Sequence, residues 1–95
     1  MELKEISVEG EEAVKVVDAL TSTSFRILQL LSEERLDIST IAQRLNLSQA
    51  YISVQIAQIE EARLIKVNYE RGKRGIRKVC ELAVGKISIV IKPHV

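Results

Sequence analysis

The stretch LDISTIAQRLNLSQAYISVQIAQIEEARLI, residues 36–65, uses one helix-start device twice. Asp37 follows Leu36 and stands four positions before Ile41; Ser48 follows Leu47 and stands four positions before Ile52. A short polar side chain at such a position accepts a hydrogen bond from a free N–H of the first turn. The flanking apolar pair closes over it as a staple. The spacing predicts a short helix from Asp37 to about Leu45 and a longer one from Gln49 to about Arg63. Ile52, Ile56 and Ile59 form the inward stripe of the second. Only Asn46 and Leu47 separate the first helix from the second cap, so the pair reads as a helix-turn-helix.

Upstream, Thr21 or Ser22 can cap a helix over roughly residues 22–33. Phe25, Leu28 and Leu31 are its expected inward set, joined by Ile27 and Leu30. EEAVKVVDAL, residues 11–20, also keeps a helical period, with Ala13, Val17 and Leu20 inward. Residues 3–8, LKEISV, read as a short strand before Gly10. Downstream of Arg63 the period falls from 3.6 to 2, placing Ile65, Val67 and Tyr69 on one face. RGKRG, residues 71–75, holds two glycines able to take positive φ and reads as a turn. Ile76–Ala83 is the return strand. Gly85 breaks the run, and KISIVI, residues 86–91, is a third strand. Helices, a helix-turn-helix and a hairpin with a cationic loop make a winged helix-turn-helix. The class is α+β, mainly α, with an extra C-terminal strand.

Length and composition fit this reading. The 95 residues are expected to form one domain, with a core over 19–83 and flanking elements at 1–18 and 84–95. Hydrophobic residues make up 46% and aromatics only 3%, so Ile, Leu and Val must fill the interior. No apolar run reaches the roughly 20 residues that span a bilayer. The acidic start, MELKEISVEGEE, lacks the basic and apolar regions of a signal peptide. A single cysteine excludes an internal disulfide framework and a Cys-rich zinc site. The expectation is a soluble, cytoplasmic protein without a metal or other cofactor.

The formal charge of +1 hides two poles. Residues 1–18 hold six acids and two bases, net −4, which leaves +5 for residues 19–95. Arg71, Lys73, Arg74, Arg77 and Lys78 have no acid among them in sequence. Such a cluster suits a polyanion.

Residues 19–83 resemble the ArsR-like group of winged-helix transcription regulators. The resemblance is carried by ALTSTSFRILQLLSEERLDISTIAQRLNLSQAYISVQIAQIEEARLIKV and the following RGKRG. The acidic-led first helix and the GKISIVI tail are similar to archaeal members of that group. The resemblance implies a homodimer on double-stranded DNA. The metal-sensing branch carries a Cys-x-Cys-type site early in the first motif helix, and Leu36–Thr40 holds no cysteine here. The resemblance would also lead one to expect an Arg or His near Val54 or Gln55, yet no Arg or Lys occurs from Asn46 to Ala62.

The candidate DNA-binding residues follow. On the recognition helix, residues 49–62, Gln49, Ala50, Tyr51, Ser53, Val54 and Ala57 form the expected outer face. Gln55 and Gln58 stand at its edges. Gln can bond adenine bidentately, Ser reads a donor or an acceptor, and Ala and Val can touch thymine methyls. Ser48 opens the helix with free N–H groups suited to a phosphate. Arg44, ending the first motif helix, can hold another. The basic wing, residues 71–78, places Arg71, Lys73 and Arg74 at the tip and Arg77 on the return strand, for the backbone or minor groove. By strand parity only one of Arg77 and Lys78 is expected to face DNA. Val14, Val17, Ile87, Ile89 and Ile91 are surplus apolar residues assigned to a twofold dimer interface; the tail strand can also pair with residues 3–8 of its own chain. A dimer would set two recognition helices about 34 Å apart for an inverted repeat.

Cys80 reads as a small core residue, and His94 has no partner motif. No nucleophile–base pair or phosphate loop occurs, so no enzyme is expected. The alternative to a sequence-specific regulator is a protein-interaction or nonspecific architectural module, favoured by the uncharged recognition helix.

Overall fold

The computed structural model describes residues 3–92. Along the chain run β1 (Lys4–Val8), α1 (Gly10–Ala19), α2 (Ser22–Leu31), β2 (Leu36–Asp37), α3 (Ile38–Leu45), α4 (Gln49–Glu61), β3 (Ile65–Gly72), β4 (Gly75–Leu82) and β5 (Val84–Ile89). Pro93 and His94 lie outside the described residues.

Local chemistry sets most helix ends. Thr21 caps α2 reciprocally: its Oγ1 accepts the Ser24 N–H at 2.9 Å, and Ser24 Oγ accepts the Thr21 N–H at 2.7 Å. Asp37 Oδ1 accepts the Thr40 N–H at 2.8 Å to open α3, and Ser48 Oγ accepts the Tyr51 N–H at 3.1 Å to open α4. Both motif helices close in one way. Asn46 turns left-handed at φ 57°, and the Leu47 N–H reaches back to the Ala42 carbonyl at 3.0 Å. Arg63 does the same at φ 64°, with the Leu64 N–H bonded to Ile59 O at 3.0 Å. This left-handed closure satisfies carbonyls the helix end leaves open.

Two sheets flank the helices. In one, β4 lies between β2 and β3, all antiparallel. Gly72 and Gly75 are paired, so Lys73-Arg74 is a two-residue loop, narrower than the expected five-residue turn. Gly75 takes φ +111°, which a side chain resists. The other sheet pairs β1 with β5 in parallel, Ile6 opposite Ile87 and Val8 opposite Ile89. Ile27, Ile41, Ile52, Ile59, Leu64 and Cys80 are fully buried between these layers.

The structure corrects several expectations. On α2 the buried stripe is Ser24, Ile27, Leu28 and Leu31, spaced i, i+3, i+4, i+7, which leaves Phe25 51% exposed. On α1 it is Ala13, Val16 and Ala19; Val17 faces outward. Gly85 does not break the last strand but lies inside it. A Cβ there would sit 3.1 Å from Leu3 Cβ, so glycine permits the close approach. The strand ends at Ile89, leaving Ile91 outside it and 94% exposed. The two-residue β2 was not foreseen.

Candidate nucleic-acid interface

The caps and the packed stripe of α4 leave Gln49, Ala50, Tyr51, Val54 and Ala57 exposed, with Ser53 half-buried. Gln49 Nε2 donates to Ser39 Oγ at 3.4 Å, joining the start of α4 to the first turn of α3. Beside it a cleft of about 330 Å³ is lined by Ser39, Gln49 and Ser53 from the helices and by Ile76, Arg77 and Lys78 from the wing, with Asp37 and Ile38 between. The recognition helix and wing thus border one concavity.

Gln55 is not at the edge of that face. It is 6% exposed, and its Oε1 accepts the Thr21 hydroxyl at 2.7 Å. Its position, three residues after Ile52 and four before Ile59, puts it on the inward stripe, so it is removed from the DNA-contacting set.

The cations divide into two groups. Arg44 pairs with Glu34 at 2.8 Å. Arg77 pairs with Asp37 at 3.4 Å and approaches Glu70 at 3.9 Å. Glu70 also meets Arg35, whose Nε lies 3.3 Å from Glu81. The run that is acid-free in sequence is therefore partly neutralised in space. Arg71, Lys73 and Arg74 are exposed and make no ion pair among the described residues. Lys78, on the opposite face of the strand from Arg77, shares with Arg71 the face that carries Tyr69 and Ile76. Its Nζ lies 5.8 Å from the Tyr69 ring centre, and it makes no ion pair among the described residues. Ile76, 74% exposed across from Arg71, is a further surface residue that sequence reading missed. Two-fold strand alternation could have found Ile76; what singles out Lys78 is the long-range pairing of Arg77 with Asp37.

Thr40 holds the Asp37 carboxyl below its usual 3.8 through side-chain and backbone hydrogen bonds; Arg77 adds attraction and burial opposes both. A depressed native value means that this stabilisation is complete above 3.8 and is lost as pH falls through the native value. Asp37→Asn keeps a cap but removes the charge. The stability gap between wild type and variant should therefore be flat near neutrality and shrink below the ordinary value, in urea melts at stepped pH. The same variant releases Arg77 from Asp37 but leaves Glu70 beside it, and should steepen the salt dependence of DNA binding by at most about one phosphate contact.

Cys80 is fully buried, and burial first, then Glu60 and Asp37, push its thiol up to about 11 against a weaker pull from Lys78. The thiolate is the reactive form. Iodoacetamide should label the native chain slowly near neutral pH and rapidly after denaturation, as read by intact mass; fast native labelling would contradict the burial. No group of three or more metal-ligating side chains occurs among the described residues. No described helix is long and apolar enough to cross a membrane.

The family model for bacterial regulatory proteins of the arsR family matches residues 21–67, from the Thr21 cap into β3. Among solved structures, the adhesin competence repressor AdcR of Streptococcus pyogenes is 31% identical with a TM-score of 0.60, over 66% of this chain and 46% of that one. This chain thus spans about half the length of that relative. Reduced HlyU of Vibrio cholerae is 22% identical with a TM-score of 0.66, over 77% of this chain and 74% of that one, a likeness of fold. A double mutant of ZitR from Lactococcus lactis is 31% identical with a TM-score of 0.57, over 66% of this chain and 42% of that one. No curated protein matches the chain.

Proposed function

We propose, from the premise that this chain carries an ArsR-family winged helix-turn-helix, that it acts as a homodimeric, sequence-specific regulator of transcription on double-stranded DNA. It is a binding protein and not an enzyme. One observation carries the reading: the exposed face of α4 and the wing border a shared cleft, and the hairpin tip holds Arg71, Lys73 and Arg74 outside any ion pair among the described residues. The tip cations supply affinity through counterion release, independent of sequence. Gln49, Tyr51, Ser53 and Val54 supply base-edge contacts in the major groove. With no cation on α4, selectivity rests on neutral hydrogen bonds, methyl contacts and DNA shape.

Self-association is supported by apolar side chains left uncovered among the described residues: Val14, Val17, Ile89 and Ile91 are all exposed, while Ile87 is half-buried. That β1 and β5 pair within one chain does not compete with this, since side chains and backbone edges are separate surfaces. The action is on nucleoid DNA in the cytoplasm, and no metal is required.

A second reading has its own observation. Val54 is 54% exposed beside Tyr51, Ala50 and Ala57, an apolar strip that would suit a protein partner. Selection of bound duplexes from a random pool separates the two. An enriched inverted repeat supports the regulator. A flat profile with measurable affinity makes the protein a nonspecific architectural binder, and absence of affinity favours the protein-interaction reading.

A further inference from the structure

We propose that Gln55 and Thr21 form a positioning link that seats the recognition helix on the α1–α2 junction and thereby sets its sequence discrimination. Gln55 is the only polar residue on the inward stripe of α4, and only two polar residues, Gln55 and Ser24, are buried among the described residues. They belong to one chain of hydrogen bonds. Ser24 Oγ donates to the Ala19 carbonyl at 2.7 Å, at the end of α1. The Ser24 N–H donates to Thr21 Oγ1 at 2.9 Å, and that hydroxyl donates its own proton to Gln55 Oε1 at 2.7 Å.

The hydroxyl therefore has both of its functions occupied, one within the cap of α2 and one across to α4. A hydrogen bond is directional where apolar contacts are not, and this one is buried at its Gln55 end, so it adds to the packing of Ile52, Ile56 and Ile59 a constraint on the rotation and axial position of α4. Gln55 lies one residue from Val54 and two from Ser53 on the proposed reading face. A small rotation at Gln55 thus moves the side chains that meet bases. The link rests on the DNA-binding reading for its consequence, but not for its existence.

Gln55→Leu cuts the link and leaves Thr21 able to cap α2; Thr21→Ser keeps both hydrogen bonds. The ratio of affinities for a selected and a random duplex should fall about tenfold in Gln55→Leu, the weight of one good base contact. It should be unchanged in Thr21→Ser, with random-duplex affinity equal in all three proteins. Amide exchange on the full chain without DNA should quicken over residues 49–57 in Gln55→Leu and stay level in α3. Unchanged exchange along α4 overturns the link whatever DNA does. Faster exchange with an unchanged ratio overturns its role in discrimination. If folded wild type does not distinguish duplexes, the regulator reading fails and the role in discrimination falls with it; exchange then decides only the link.

Discussion

Replacing Arg71, Lys73 and Arg74 together with alanine should weaken binding to every duplex, selected or random, by on the order of a hundredfold or more at low salt. Charged hydrogen bonds contribute about 1.5–3 kcal/mol each, and even the low end, taken three times, reaches that figure. The slope of log affinity against log salt should lose about 0.9 for each phosphate contact removed, or about 2.7 in all. The selected-to-random ratio should hardly move, because phosphate contacts carry no sequence information directly. Fluorescence anisotropy across a salt series measures all three quantities. An unaltered slope would remove the wing from the interface. Arg44→Ala and Arg77→Ala are the controls. Both side chains already face carboxylates, Glu34 and Asp37, so each should change the slope less than any one tip residue.

The largest stability effect is expected from Ile52→Ala. Ile52 is fully buried and is the apolar partner four residues after the Ser48 cap. Truncating a buried isoleucine costs about 2–5 kcal/mol, from lost transfer energy and from the cavity left behind. For a domain of this size each kcal/mol moves the melting temperature by about 4–8 °C, so a fall on the order of 8–40 °C is expected by calorimetry. Val54→Ala, two residues on but exposed, should stay within about 0.5 kcal/mol of wild type while altering DNA selectivity. The pair separates folding from reading on one helix. A loss of stability at Val54 as large as at Ile52 would mean that α4 packs differently.

What could be read in the sequence was what local chemistry determines. Asp37 and Ser48 cap the predicted helices because a cap needs only its own first turn. The hairpin was visible because Lys73-Arg74 sits between glycines and the strands alternate. Gln55 was misjudged because polarity was weighed above position, although its spacing from Ile52 and Ile59 placed it inside. Phe25 erred the other way: its bulk suggested burial, but the stripe through Ile27, Leu28 and Leu31 had already filled that side. β2 exists only because Leu36 and Asp37 lie opposite Cys80 and Val79, far along the chain. The pairing of Arg77 with Asp37 has the same origin. It removes one expected cation from the wing and makes Lys78 the more available one.

The parallel ladder between β1 and β5 carries a kinetic consequence. It joins Lys4 to Val84 and Val8 to Ile89, partners about 80 residues apart in sequence. Loop-closure entropy must be met before so distant a pairing is rewarded, whereas α3 and α4 meet across a turn of a few residues. The helix-turn-helix and its hairpin are therefore expected to assemble first, with the β1–β5 ladder added to a nucleus that already exists. Weakening Ile6 or Ile87 should then speed unfolding and hardly change the folding rate, as the two arms of a denaturant chevron would read. The ladder is a late clasp, setting how long a folded copy lasts.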